Sequence, residues 1–243
     1  RTLRRLPSPV RPDSLDYKFE VRLMCPDHPH LENIEPSDIL PRAHYQFTAL
    51  IDEDGTCDFE YACRHPVVPP RDLAQREDLA AASSDKRSGE TPRCGSFWLS
   101  LYVWDRSREY LAASGISPKV LGAECGVSIY RDGLRVLPYG EPGNDWLLLD
   151  KDRIQDPSGK IGNDQVIGLV QFLQESNLRL RDKTDREGLI DNEAFQDLRE
   201  LVRAAIRTFT SLWKQDRPRD DGIARKRKGT LAVAREVATA LHD

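Results

Sequence analysis

The residues best suited to chemistry lie in one polar run, Arg181-Asp182-Lys183-Thr184-Asp185-Arg186-Glu187-Gly188. Lys183 stands between an expected strand and an expected helix. A flexible ammonium held in such a loop can reach a terminal phosphate and stabilise the charge that develops as it is cleaved. Thr184 and Arg186, in the same loop, are further candidates for contact with a phosphorylated ligand. The competing reading is a solvated loop closed by local Asp–Lys and Asp–Arg pairs. Residue types alone leave both open.

Other chemistries find less support. Cys25, His28 and His30 lie close together, as do Cys57, Cys63 and His65, and paired clusters of this kind can make a tetrahedral zinc site. Cys57 and Cys63, however, take alternate inward positions of an expected strand, where cysteine serves as a small apolar residue. No metal site is expected. No serine sits in a strand–turn–helix elbow, and no Cys/His pair suggests a nucleophile. Gly140-Glu141-Pro142-Gly143 is followed by no Lys-Ser/Thr pair, so it reads as a rigid turn rather than a phosphate cradle. Glu187, Asp191 and Asn192 imitate the acidic box of Bergerat-type ATP sites, but Glu and Asn stand one residue too far apart and Gly188 would interrupt the helix. The chain is therefore expected to lack a complete ATP site of its own.

These residues need a scaffold, and the 243 residues, 39% hydrophobic and 31% charged, suffice for one large or two small domains. The net charge of −4 excludes a polycation. Bases nevertheless gather at the ends, with Arg1, Arg4, Arg5 and Arg11 at the front and Lys214, Arg217, Arg219, Arg225, Lys226, Arg227 and Lys228 near the back. Such runs can bind nucleic acid or remain solvated. No stretch approaches the ~20 apolar residues that span a bilayer, and no signal-peptide pattern is present, so no membrane is expected. Five cysteines without framework spacing favour reduced thiols and a cytoplasmic setting. With Met24 its only methionine and arginine at position 1, the chain is expected to be a piece of a longer protein.

Residues 1–15 read as a basic linker or arm, 16–213 as one α+β domain and 214–243 as a basic linker with a short helix at 230–241. Alternation predicts strands at 17–23, 45–51, 57–63 and 166–172, a central strand at 97–104, and a hairpin joining 126–130 to 134–137. Residues 66–95 are expected to be a mobile insertion with a short helix from Leu73 to Ala82. Asp105 is a candidate cap for one short helix, and Ser117-Pro118 opens another. From Asp191 or Asn192, apolar residues recur at helical spacing from Phe195 to Trp213, giving a long final helix. The expected fold is α+β: a mixed, largely antiparallel sheet with helices on one face.

The stretch Gly126-Val-Ser-Ile-Tyr-Arg-Asp-Gly-Leu-Arg-Val-Leu-Pro-Tyr-Gly-Glu-Pro-Gly-Asn-Asp-Trp146 resembles the transducer region of bacterial GHKL ATPases (gyrase B, heat-shock chaperone, histidine kinase and MutL relatives) of the MORC-like group. The resemblance continues through Asn163–Gly168 and Leu180–Phe195, covering roughly 110 residues. It implies a ribosomal-protein-like transducer fold following an upstream ATPase domain. It also implies that Lys183 enters that domain's nucleotide site, which would hold ATP and Mg²⁺. Lys160 and Gln165 lie in or beside another loop that can face the ATPase domain, without an assigned role. ATP binding would draw Lys183 in and favour a homodimer; hydrolysis would release it. The implied output concerns DNA, in restriction, repair or phage defence. The alternative is a non-catalytic nucleic-acid-binding or scaffold module, its basic ends contacting phosphates.

Overall fold

Seven strands and four helices account for most of the computed structural model, which describes residues 5–10, 12, 39–81, 91–157, 159–183 and 187–218. The expected strand at 17–23, the first cluster of Cys25, His28 and His30, and the helix at 230–241 lie outside the described residues. The strands are β1 (Tyr45–Ile51), β2 (Thr56–Cys63), β3 (Arg71–Asp78), β4 (Phe97–Val103), β5 (Gly126–Arg131), β6 (Leu134–Val136) and β7 (Val166–Phe172). The helices are α1 (Arg108–Ala113), α2 (Pro118–Glu124), α3 (Leu149–Gln155) and α4 (Glu193–Asp216).

The sheet runs β3-β2-β1-β4-β7-β5-β6. Its neighbours are antiparallel except β5 and β7, which pair in parallel. The α+β class, the mixed sheet and the long final helix are as the sequence predicts. β1 alternates buried and half-buried side chains, whereas β4 and β7 are buried along nearly their whole length, because packed layers cover them on both faces. On one face, Phe47, Leu99, Leu101, Val127, Val170 and Phe172 join Leu198, Val202 and Phe209 of α4 in the main core. On the other, Tyr102, Tyr130, Ile167 and Leu169 meet Leu111 of α1 and Leu121 of α2.

Helix α4 forms where it should. Asn192 accepts the Phe195 N–H through its side chain at 3.0 Å, and the helix runs 24 residues to Asp216. At its beginning Phe195 stacks on Trp146, 5.6 Å between ring centroids. Near its end Phe209 touches Phe47 of β1 and Tyr61 of β2. It thus crosses the sheet from the β5 side toward β3.

Three expectations require correction. The helices do not share one face, because the central strands are apolar on both: α4 covers one face and α1 and α2 the other. The stretch from Leu73 is β-strand through Asp78, paired residue for residue with β2. Without β3, β2 would leave its outward backbone groups unpaired, and the ladder outweighs local helix propensity. Ion pairing and a hydroxyl bond then fix β3 to α4, through Arg71–Asp216 at 3.1 Å and Thr208 donating to Glu77 at 2.8 Å. Asp105 does not cap a helix directly. It closes a turn by accepting the Ser107 N–H at 2.8 Å, and α1 begins one residue later. Ser117 caps α2 as expected, accepting the Val120 N–H at 3.2 Å.

Candidate functional site

The β5–β6 hairpin turns at Asp132 and Gly133, both with positive φ (50° and 78°), the geometry that suits a two-residue hairpin. Asp132 also ties this turn to the end of β7: its N–H donates to the Phe172 carbonyl at 3.0 Å, and its carboxylate accepts the Gln174 N–H at 2.9 Å. Beyond β6 the chain folds back over β5. Gly140, at φ 72°, comes so close that a Cβ there would lie 2.2 Å from Ser128 Oγ. Trp146 then donates its indole N–H to the Val127 carbonyl at 2.8 Å. Gly140-Glu141-Pro142-Gly143 lies in the turn expected there, held by Glu141 N–H to Pro138 O and Asn144 N–H to Glu141 O.

The loop carrying Lys183 is a short two-rung ribbon. Lys183 N–H donates to the Gly188 carbonyl at 2.9 Å and Ile190 N–H to the Arg181 carbonyl at 2.7 Å, with Asp182 opposite Leu189. Leu180 and Leu189 are buried in the main core and root the ribbon. The Lys183 side chain is exposed and makes no ion pair with a described residue. Its neighbour Asp182 is already engaged: both carboxylate oxygens accept from Arg131 of β5, one of them at 2.8 Å. The Asp–Lys half of the solvated-loop reading therefore does not hold for Asp182. Thr184 and Arg186, the other candidates in this loop, lie outside the described residues.

Tyr139 bridges the ribbon and the hairpin. Its hydroxyl oxygen accepts the buried Leu189 N–H at 3.0 Å. Gly188, at φ 97°, permits this approach, since a Cβ there would lie 3.0 Å from that oxygen. Arg135, nearly fully buried, donates to the Tyr139 carbonyl and pairs with Glu141, each at 2.9 Å. Burial, with Arg5 nearby, pulls the Arg135 guanidinium below its ordinary pKa.

Residues 5–8 are an ordered edge rather than a free arm. Pro7 bridges Leu134, Arg135 N–H donates to the Leu6 carbonyl at 2.9 Å, and Ser8 N–H donates to the Gly133 carbonyl at 2.9 Å. Arg5 itself reaches Gly140 O at 3.0 Å, Ser128 Oγ at 3.3 Å and the Glu124 carboxylate at 3.4 Å. At the other basic end, Lys214 lies 4.0 Å from Asp156, and Arg217 sits over the Trp213 ring at 4.9 Å. These three cations have partners within the fold; most of both basic runs lies outside the described residues.

Gln165 serves the turn before β7, its side-chain Oε1 accepting the Gly162 N–H at 3.0 Å. Cys57 and Cys63 are buried on the inward face of β2, and burial pushes the Cys57 thiol up to about 12. His65 Nε2 lies 3.2 Å from Asp105 Oδ2. Among the described residues, no group of three or more His, Cys, Asp and Glu side chains could hold a metal ion. Nor is any described helix long and apolar enough to cross a membrane.

No family model, curated protein or solved structure matches this chain. The site therefore stands on its own geometry. The pairing of Arg131 with Asp182 and of Tyr139 with Leu189 joins two sequence stretches about fifty residues apart. Sequence reasoning marked both stretches but not the bonds between them. The Tyr in a Gly/Pro-rich turn and the Gly at 188 were the available signal.

Proposed function

We propose that this chain is the transducer of a GHKL-type ATPase, with Lys183 as the group that contacts the γ-phosphate of ATP held with Mg²⁺ by an upstream domain. The observation that supports this reading is the presentation of Lys183. An exposed ammonium rides on a ribbon whose base is held to a rigid hairpin, while the adjacent carboxylate is occupied by Arg131. A cation whose adjacent carboxylate is already paired, and whose backbone is held, costs little reorganisation when it meets a phosphate. Helix α4 starts three residues after the ribbon ends at Ile190, and can carry a joint displacement of ribbon and hairpin across the sheet. Dimerisation and a DNA-directed output belong to the same proposal and rest on the sequence resemblance alone.

The test uses the native polypeptide that includes the upstream ATPase domain, and compares ATP turnover before and after Lys183→Ala. Loss of a charge-stabilising contact of this kind lowers kcat by about 10²-fold. Unchanged turnover would sink the phosphate-sensing role.

A further inference from the structure

The geometry points to Tyr139 and Arg131 as positioning residues for Lys183, an inference that rests on Lys183 being the phosphate-contacting group. The ribbon's own two rungs fix its shape but not its direction, because both lie within the ribbon. Its direction comes from two attachments, one on each of its strands: to Arg131 of the hairpin and to Tyr139 of the turn that follows it. Asp182, immediately before Lys183, is gripped by Arg131. Leu189, across the ribbon from Asp182, gives its N–H to Tyr139.

Tyr139 is itself immobilised by groups that do not belong to the ribbon. Its ring packs against Trp146 and Phe195, at 5.4 and 5.6 Å between centroids. Its carbonyl takes a bond from Arg135, and the next carbonyl, that of Gly140, takes one from Arg5. The Leu189 N–H is buried, so water cannot replace the phenol oxygen as its acceptor. Two supports on opposite strands of a narrow ribbon restrain it from swinging, and the Lys183 backbone from which the ammonium reaches inherits that fixed position.

Tyr139→Phe keeps the ring and deletes only the acceptor. In this chain, amide hydrogen exchange read residue by residue should show Leu189 exchanging about tenfold faster or more in the variant, with Leu198 to Phe209 of α4 unchanged. Unchanged exchange at Leu189 would overturn the role of Tyr139. In the native polypeptide with its ATPase domain, Tyr139→Phe and Arg131→Gln should lower kcat several-fold while KM for ATP stays within twofold. Arg131→Asp combined with Asp182→Arg should recover most of the loss caused by Arg131→Asp alone. A KM that rises in place of a falling kcat, or a swapped pair with no recovery, would overturn the positioning role. If Lys183→Ala leaves turnover unchanged while Leu189 exchange accelerates as stated, the phosphate-sensing reading fails and the structural support stands; the two failures are thus told apart.

Discussion

Arg5 and Gly140, 135 residues apart, are joined by a 3.0 Å bond from Nη2 to the carbonyl. The same guanidinium reaches Ser128 and Glu124, so one side chain pins an incoming segment, the turn after β6 and the end of α2 together. Arg5→Met, which keeps most of the stem, should lower stability by about 2 kcal/mol, the usual worth of charge-assisted bonds whose partners stay behind partly buried. A urea titration checks this, and a midpoint shift of the wrong sign or none would contradict it.

Gly140 and Gly143 separate two kinds of glycine requirement. Both have positive φ, 72° and 84°, but a Cβ at Gly140 would strike Ser128 while one at Gly143 meets nothing within 4 Å. Gly143→Ala should cost about 1 kcal/mol, the strain of the left-handed region alone. Gly140→Ala should cost about 3 kcal/mol or more, adding the displacement of β5. Equal losses in thermal melts would show that the close approach at Ser128 is not what matters.

His44 makes acid stability a readable quantity. Burial and the neighbouring His65 lower its pKa below the ordinary 6.5, although Asp105 opposes them. The unfolded chain therefore takes up a proton before the folded one does, and stability contributed by neutral His44 is complete above about pH 6.5 and declines as pH falls below it. The neutral ring is required because Nδ1 accepts the Asp105 N–H at 2.9 Å. His44→Asn, which keeps an acceptor but no titration, should lose less stability than the parent chain between pH 7.5 and 5.5. Denaturant midpoints at the two pH values measure the difference.

The buried thiols should be inert in the folded chain. Burial pushes Cys57 and Cys94 up to about 12, leaving almost no thiolate at pH 8. An aromatic disulfide reagent should label both only in denaturant, as seen by peptide mass spectrometry. Rapid native labelling of either would mean that β2 or the segment before β4 opens readily.

Strands and the long helix were legible because each buries its own pattern. Phe47, Ala49 and Ile51 alternate, Leu198, Val202 and Phe209 share one helix face, and Asn192 caps where a cap is needed. β3 was not legible, since Arg71 to Asp78 offers little apolar alternation and exists as a strand because β2 lacks another partner on that side. The site was legible in part. Lys183 and the hairpin turn stand out as residue types, whereas the Arg131–Asp182 and Tyr139–Leu189 bonds depend on how a parallel pair brings distant loops to one end of the sheet.

Helix α4 crosses the sheet, and 24 residues at 1.5 Å each make it about 36 Å long, against roughly 29 Å for six spacings between seven strands. Its start is fastened beside Trp146 on the β5 side and its end to Arg71 on β3. Strands on either side of the β4–β7 junction are thus clamped by one rigid rod, and neither half of the sheet can melt while the other keeps its core. The described domain should unfold in a single transition, with fluorescence and far-ultraviolet dichroism giving the same midpoint.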